Sequence, residues 1–213
     1  IPVEDVTPGT VAVLVEADGT ETVIKTSLTT ENGVAVTLSD GDTVKIVDNS
    51  KTFTDVPDSH WAAEAVDFAA SRELFQGTGG DTFAPEAAMS RAMILTVLAR
   101  LEGVDTSAGD TWYSAGLQWA VEAGISDGSA PEQGLTREQL ALMLYRYAGQ
   151  PSGYYSNPFK DVGATSEASY YKAILWAVGK GITTGTSATT FSPYASCNRA
   201  EAVTFLYRYT NGL

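Results

Sequence analysis

The stretch WAVEAGISDG at residues 119–128 returns as WAVGKGITTG at residues 176–185, and a weaker copy, FAASRELFQG, occupies residues 68–77. Each copy pairs an aromatic residue with alanine, continues to an aliphatic residue and ends in glycine. A fixed order of elements at this spacing indicates structural repeats that pack on one another. The fold of most of the chain therefore follows from this repeat.

The first helix of each repeat is predicted from apolar residues at positions i, i+4, i+7 and i+8, a spacing that places them on one helical face. They agree place for place: Ala62, Val66, Ala69 and Ala70; Tyr113, Leu117, Ala120 and Val121; Tyr170, Ile174, Ala177 and Val178. This agreement between copies supports a helix in each.

The second helix of each repeat is predicted to begin at Ser90, Thr136 or Asn198, residue types that cap helix N-termini well. Two copies have a side chain that can complete a capping box three residues later, Gln139 and Glu201. These helices are apolar nearly all round, which is typical of helices at the centre of a bundle.

The repeats also predict the architecture of residues 52–213. Three helix pairs cannot bury their faces alone, so we expect one compact, mainly α body with approximate threefold symmetry. The repeats span about residues 52–103, 104–149 and 157–213. Residues 1–51 are expected to form a small antiparallel β segment, either a spacer or the end of an upstream domain.

The β segment is predicted from alternating apolar residues. Its two hairpins have apolar residues on both sides of an Asp-Gly turn: residues 11–15 and 23–24 around Asp18-Gly19, and residues 34–38 and 44–47 around Asp40-Gly41. We expect four short strands in one sheet, which needs to pack against something else to be stable.

Charge and composition limit the possible functions. The chain has 26 acidic and 13 basic residues, a formal charge of -13, which argues against a nucleic-acid partner because neutralising phosphates needs a basic face. No run of about 18 apolar residues occurs, so membrane insertion is not expected. The chain begins at Ile1 rather than Met, which suggests a fragment or a processed chain.

Residue types common in active sites are scarce. His60 is the only histidine and Cys197 the only cysteine, so no histidine-based catalytic site and no metal cluster can recur with the repeats. We expect Cys197 to be a buried, inert thiol, because its position in the repeat is apolar. No P-loop, Rossmann glycine pattern or EF-hand loop is present. The sequence therefore favours binding over catalysis, without a cofactor.

Three arginines carry the main functional signal: Arg91, Arg137 and Arg199, each just after the N-cap of a second helix. A cation at a helix N-terminus is unfavourable by roughly 0.3–1 kcal/mol, and here it recurs in every copy. Free backbone N–H groups together with a guanidinium group would bind a carboxylate or phosphate. The alternative is that each arginine pairs with an internal carboxylate, such as Asp55 or Asp161.

Another set of arginines follows nine residues later in each copy: Arg100, Arg146 and Arg208. These lie near helix C-termini, where the helix dipole favours a cation, so we expect a structural role. Arg72 falls outside both sets.

Aromatic residues and glycines are further candidates for the site. Trp61 and Trp112 stand near the starts of first helices, where we expect partial exposure and stacking on sugar rings, the alternative being a place in the core. Gly77, Gly128 and Gly185 suit a turn that needs positive φ or close backbone approach, and room for a ligand is a second explanation.

The repeats resemble S-layer homology motifs. The elements that carry the resemblance recur in order along about three quarters of the chain: Phe53-Thr-Asp-Val56, His60-Trp61, Phe83-Ala-Pro85 and Ser90-Arg91-Ala92; Thr111-Trp-Tyr113, Trp119-Ala120, Gly124-Ile125 and Thr136-Arg-Glu-Gln139; Phe159-Lys-Asp-Val162 and Asn198-Arg-Ala-Glu201. The resemblance implies a pseudo-threefold helical domain that anchors exported proteins non-covalently to the cell wall of Gram-positive bacteria.

The implied ligand is a secondary cell-wall polysaccharide, often pyruvylated, held in grooves between neighbouring motifs on the cell surface. A pyruvate ketal would supply the carboxylate that the arginines can bind. The wall-binding Thr-Arg-Ala-Glu motif of the family corresponds here to Ser90-Arg91-Ala92, Thr136-Arg137-Glu138 and Asn198-Arg199-Ala200-Glu201. The expected ligand-binding residues are Arg91, Arg137, Arg199, Asp55, Asp161, Trp61, Trp112, Gly77, Gly128, Gly185 and Thr136.

The chain departs from the family pattern in places. Met93 replaces the acidic residue of the motif in the first copy. The second copy has no Phe-x-Asp-Val start, is shorter between Gly128 and Arg137, and lacks the Phe-x-Pro element of the other two. At least one groove should therefore differ in shape.

We expect a non-catalytic carbohydrate-binding anchor at the C-terminus of a larger exported protein. The main alternative is a protein–protein or S-layer-type self-assembly module without carbohydrate binding. A wall-active glycosidase is a third reading, which lacks support because no pair of facing carboxylates recurs between copies.

Overall fold

The computed structural model of this protein describes residues 1–163 and 168–212. Within this described part, five strands come first: β1 (Thr10–Val15), β2 (Glu21–Val23), β3 (Leu28–Thr30), β4 (Gly33–Ala35) and β5 (Val44–Asp48). Six helices follow in the same residues: α1 (Ala63–Ser71), α2 (Arg91–Leu101), α3 (Ser114–Glu122), α4 (Arg137–Tyr147), α5 (Ala168–Gly179) and α6 (Arg199–Asn211). The predicted helical character after residue 52 is confirmed.

The β segment is built around β1, which pairs antiparallel with β2 on one side and with β5 on the other. The first predicted hairpin is confirmed, with Val13 opposite Val23. The second is wrong, because β5 pairs with β1, with Val47 opposite Val11, while β4 pairs with β3. The expected single sheet of four strands is wrong for the same reason: the described strands form a three-stranded sheet, β2-β1-β5, and a two-stranded sheet, β3-β4. β1 is buried over its first four residues, so both of its edges need hydrogen-bond partners, and β5 supplies the second.

Arg72, directly after α1, joins the helices to the β segment. Its buried guanidinium group donates hydrogen bonds to the carbonyls of Ser27, Pro8 and Thr10, at 2.7, 2.9 and 3.0 Å. The same group lies 3.8 Å from the centroid of the Phe68 ring. Burial lowers the pKa of Arg72 to about 10, so the side chain stays charged at neutral pH.

Each second helix packs against the first helix of another repeat: α2 on α3, α4 on α5 and α6 on α1. These contacts build the core, in which Trp176 is fully buried and Trp119 partly so. Val121, predicted on the buried face of α3, is 45% exposed, because it borders an open cleft of about 550 Å³ that reaches Gly128.

The segments that lead into the second helices are joined by backbone hydrogen bonds in a closed ring. The amide of Met89 donates to the carbonyl of Cys197, that of Cys197 to Leu135, and that of Leu135 back to Met89, at 2.8–2.9 Å. All three side chains are buried. Burial raises the pKa of the Cys197 thiol to about 12, in agreement with an inert thiol.

Candidate functional site

The second helices begin with the N-caps that the sequence predicts. Each cap side chain accepts a hydrogen bond from the backbone N–H three residues on: Ser90, Thr136 and Asn198. Gln139 and Glu201 complete two capping boxes, as predicted. In the first copy the sulfur of Met93 takes this place and accepts the amide of Ser90 at 3.4 Å. The Thr136 side chain, a predicted ligand contact, is thus engaged in the cap of its own helix.

The backbone N–H groups at the helix starts are already bonded, so the prediction of free donors is wrong. In α6, the amides of Arg199 and Ala200 donate to carbonyls of residues 85–87, at 2.9 Å. The equivalent amides of α2 and α4 donate to carbonyls of residues 131–133 and 193–195. The reason is that the chain entering each helix lies beside a loop of another repeat, whose carbonyls satisfy these donors. A bound anion would therefore depend on side chains.

Arg199 is held by carbonyl oxygens. Its Nε donates to the carbonyl of Phe83 at 2.9 Å and its Nη2 to that of Gln76 at 2.7 Å. The guanidinium carbon lies 4.4 Å from the centroid of the Phe83 ring. Within the described residues, Arg199 has no carboxylate within 4 Å and no hydrogen bond at Nη1. Burial lowers the pKa of Arg199, which the nearby charge of Asp55 partly offsets.

Arg137 is held in the same way and is neutralised in addition. Its Nε donates to the carbonyl of Phe191 at 2.9 Å, and its Nη1 forms an ion pair with Glu201. Arg137 is only 3% exposed. Its Nη2 is buried without a hydrogen-bond partner among the described residues.

Arg91 has lost the carbonyl contact and gained a carboxylate. Its Nη2 lies 2.9 Å from Oδ1 of Asp127, and its Nε is buried with no partner in the part of the chain that the structure describes. In the other copies Nε is bonded to the first residue of the Phe-x-Pro element, Phe83 or Phe191. The loop that lies beside Arg91 belongs to the second copy, which lacks that element, so Arg91 pairs with Asp127 instead.

The internal-carboxylate alternative therefore describes two of the three arginines. Their partners are Asp127 and Glu201, whereas the sequence suggested Asp55 and Asp161. These helix starts tolerate a cation because the long arginine side chain places its guanidinium group on a carbonyl or carboxylate oxygen of another repeat.

Asp55 and Asp161 instead hold the Phe-x-Pro loops. Asp55 accepts the amides of Phe83 and Ala84, at 2.8 and 2.7 Å. Asp161 accepts the two equivalent amides of its own repeat, at 2.9 and 2.7 Å. The bond from Phe83 is the main cause of the lowered pKa of Asp55. Burial acts to raise the pKa of Asp161, and its two amide bonds bring it below the ordinary value.

Two grooves between repeats contain these arginines. The two grooves are lined by residues at equivalent positions of the repeats. The Arg199 groove, of about 180 Å³, is lined by Gln76, Gly77, Met93, Arg100, Trp112 and Arg199. The Arg137 groove, of about 320 Å³, is lined by Thr184, Gly185, Glu201, Arg208, Trp61 and Arg137. Each groove takes its loop and helix from one repeat, its tryptophan from the next and its arginine from the remaining one.

The tryptophans of the grooves are exposed, as predicted. Trp61 is 58% and Trp112 52% exposed, unlike the buried Trp176. The flat face of an exposed aromatic ring suits stacking on a sugar. The grooves thus offer a stacking surface and a cation together.

The three repeat glycines are explained by backbone geometry. Gly128 and Gly185 have φ of +77° and +81°. A Cβ on Gly77 would lie 2.8 Å from the carbonyl oxygen of Thr82, too close for any other residue. The turn requirement therefore accounts for all three, and Gly77 and Gly185 also form groove walls.

The surroundings of Arg91 differ from both grooves. In the alignment of the repeats, Ser169 corresponds to the two tryptophans, and Asp127 corresponds to Gln76 and Thr184. The carboxylate of Asp127 is also held by the amide of Ser129, the largest cause of its lowered pKa. Asp127 is therefore ionised at neutral pH and compensates the charge of the arginine.

Residues 1–163 and 168–212 contain no group of three or more His, Cys, Asp or Glu side chains placed to hold a metal ion. In the same residues, no helix combines the length and apolar character needed to cross a membrane.

Comparison with known families gives one match. The S-layer homology domain model matches residues 52–92 and 158–203 of this chain. These segments fall in the first and third repeats, and the second repeat lies outside them. The match confirms the resemblance at the two copies that keep the Phe-x-Asp-Val and Phe-x-Pro elements.

Curated relatives carry the same similarity. An amylopullulanase of Thermoanaerobacterium thermosulfurigenes is 26% identical over 74% of this chain, the exoglucanase XynX of Acetivibrio thermocellus 26% over 76%, and an S-layer protein of Bacillus thuringiensis subsp. finitimus 26% over 73%. The matched part is 9%, 16% and 21% of those proteins. The chain thus corresponds to a small part of long relatives that bear both enzyme and S-layer names.

The sequence did not identify Asp127 and Glu201 as the partners of the arginines, nor Arg100 and Arg208 as groove residues. The copies do differ in charge at the two positions that matter. The residue before the repeat glycine is Gln76, Asp127 or Thr184, and the fourth residue of the Thr-Arg-Ala-Glu motif is Met93, Gln139 or Glu201. Arg100 has the structural bond that its position predicts, from Nη1 to the carbonyl of Leu74 at 3.2 Å.

Proposed function

We propose, from the two S-layer homology segments that this chain carries, that it anchors an exported protein to the bacterial cell wall by binding a secondary cell-wall polysaccharide. The observation that carries the proposal is the composition of the two grooves. Each offers an exposed tryptophan and a guanidinium group, which together fit an anionic sugar. The chain itself acts by binding and not by catalysis.

The acidic group of the ligand is inferred from the charge of the protein. With a formal charge of -13, the chain repels a polyanion at long range, so an anionic polymer needs a local cation for binding. The groove arginines are such cations. We take a pyruvate ketal as the acidic group, because it places a single carboxylate on a sugar ring and so fits one guanidinium group beside one aromatic ring.

The approximate threefold arrangement belongs to the same proposal. Support comes from the closed ring of backbone bonds among Met89, Leu135 and Cys197, and from grooves that each draw on three repeats. Binding across repeats would make the site depend on the assembled domain. A single repeat in isolation should not bind.

The protein to which this anchor belongs is proposed to be longer. Relatives with enzyme names and relatives with S-layer names share the matched part, which suggests a module that serves different functional partners. Its location would be the cell surface or cell wall.

The test is retention of the chain by purified cell walls of a Gram-positive bacterium with a pyruvylated secondary polymer. Walls stripped of that polymer, and walls stripped only of the ketals, serve as controls. We expect retention by intact walls and loss with both treatments. Equal retention on all three would overturn carbohydrate binding, and concentration-dependent association without any wall would favour the self-assembly alternative.

A further inference from the structure

Given the proposed function, we propose that the three arginines are unequal and that the Arg199 groove is the site for the acidic sugar. The other two arginines are compensated by carboxylates of the protein itself, Glu201 at Arg137 and Asp127 at Arg91. A carboxylate that occupies the guanidinium group competes with a carboxylate on the ligand.

The Arg199 and Arg137 grooves allow a matched comparison. Both arginines donate Nε to a phenylalanine carbonyl, and both feel the charge of an aspartate that holds the Phe-x-Pro loop. The difference in charge between the two linings at this point is the side chain at the third position of the helix that faces the arginine. This position is Met93 in the Arg199 groove and Glu201 in the Arg137 groove.

Met93 leaves the positive charge of Arg199 available. The thioether completes the capping box through its sulfur, a neutral acceptor, so the cap does not require a carboxylate. Glu201 uses one oxygen for the amide of Asn198 and the other for Arg137. The replacement of an acidic residue by Met93 therefore removes a competitor from the groove and keeps the helix start intact.

The Arg199 groove also has room for a polymer. Its residues Gln76, Gly77 and Arg100 line a second, larger cleft of about 1010 Å³ between the helices and the β segment. Lys25 and Lys51 stand on the wall of that cleft. Glu73, Asp81 and Asp105 line the same cleft, and Lys25 pairs with Glu73 at 3.7 Å. An extended chain held at Arg199 can therefore continue into this space, which adds no net positive charge.

Two matched pairs of variants test the inference by retention on pyruvylated walls. Met93→Glu restores the acid, whereas Met93→Gln has the same length without the charge, and Gln139 shows that glutamine closes the same capping box. We expect Met93→Glu to bind at least tenfold more weakly than Met93→Gln. Trp112→Ala should lose at least fivefold more affinity than Trp61→Ala, because both rings are about half exposed but line different grooves.

The converse variant removes a competitor. Glu201→Gln keeps the cap and frees Arg137, so it should raise the number of ligand equivalents bound per chain. Melting curves establish that all variants are folded.

The outcomes separate the two proposals. No retention of the wild-type chain would overturn the proposed function. If the wild type is retained but Met93→Glu and Met93→Gln bind the walls with equal affinity, the inequality of the grooves is overturned. The same holds if Trp61→Ala loses as much affinity as Trp112→Ala. In both cases the anchor function still stands.

Discussion

Replacing Arg72 should separate the stability of the β segment from that of the helices. The guanidinium group makes three hydrogen bonds to carbonyls of residues 8–27, all within 3.0 Å. Hydrogen bonds to a charged group contribute about 1.5–3 kcal/mol each, and part of this returns when a neutral side chain fills the site. For Arg72→Met we expect a loss of about 3–5 kcal/mol, since the carbonyls stay buried without donors.

The assay follows two probes during urea unfolding. All four tryptophans lie after residue 60, so fluorescence reports the helices, whereas limited proteolysis reports residues 1–51. We expect cleavage in the β segment of Arg72→Met under conditions in which tryptophan fluorescence is still native. Arg72→Lys is the control that keeps the charge and loses the planar fork. The stability of its β segment should lie between those of the wild type and Arg72→Met.

A loss below about 1 kcal/mol in Arg72→Met, with proteolysis and fluorescence changing together, would refute this reasoning. The three carbonyls would then have found other partners, and the packing of β1 against α1 would be sufficient to hold the segment.

Two further predictions concern stability and reactivity. Asp55→Asn should lower the free energy of unfolding at pH 7 by about 1–2 kcal/mol, because an amide cannot accept both loop amides as a carboxylate does. Since the pKa of Asp55 is lowered in the folded state, its contribution is present above about pH 4 and is lost as the pH falls through the folded pKa; acid titrations should therefore converge for wild type and variant, and parallel curves would contradict this. Cys197 should resist thiol reagents at pH 8 in the native protein and react fully in urea, because it is buried with a pKa of about 12; rapid labelling of the folded chain would contradict this.

The helices were predictable because their signals are local. An N-cap such as Asn198 and an apolar residue every three or four positions act within one or two turns of the chain. The starts of the three second helices were therefore found at the right residues. The pairing of β5 with β1, by contrast, joins residues 30 to 38 positions apart, and no pattern within either strand indicates it.

The site was predictable in its parts and not in its pairing. Arg199 and Trp112 belong to different repeats, and the groove that contains them depends on how the repeats associate. A cation at a helix start signals that a partner exists, but the identity of the partner depends on which loop of another repeat comes beside it. For that reason Glu201 and Asp127 could not be assigned from spacing.

The shortened second repeat connects these observations. In the other repeats an aspartate, Asp55 or Asp161, holds a loop whose carbonyl orients the arginine of a neighbour. The second repeat lacks both the aspartate and the loop. The two are absent together because a loop without its aspartate would have unsatisfied amides, and an aspartate without its loop would have an unsatisfied carboxylate. Asp127 then takes over the charge of Arg91 directly. The loss of this aspartate and its loop keeps the fold and leaves Arg91 in an internal ion pair. Under the proposed function, copies of one motif would thus differ in binding without a change in the bundle.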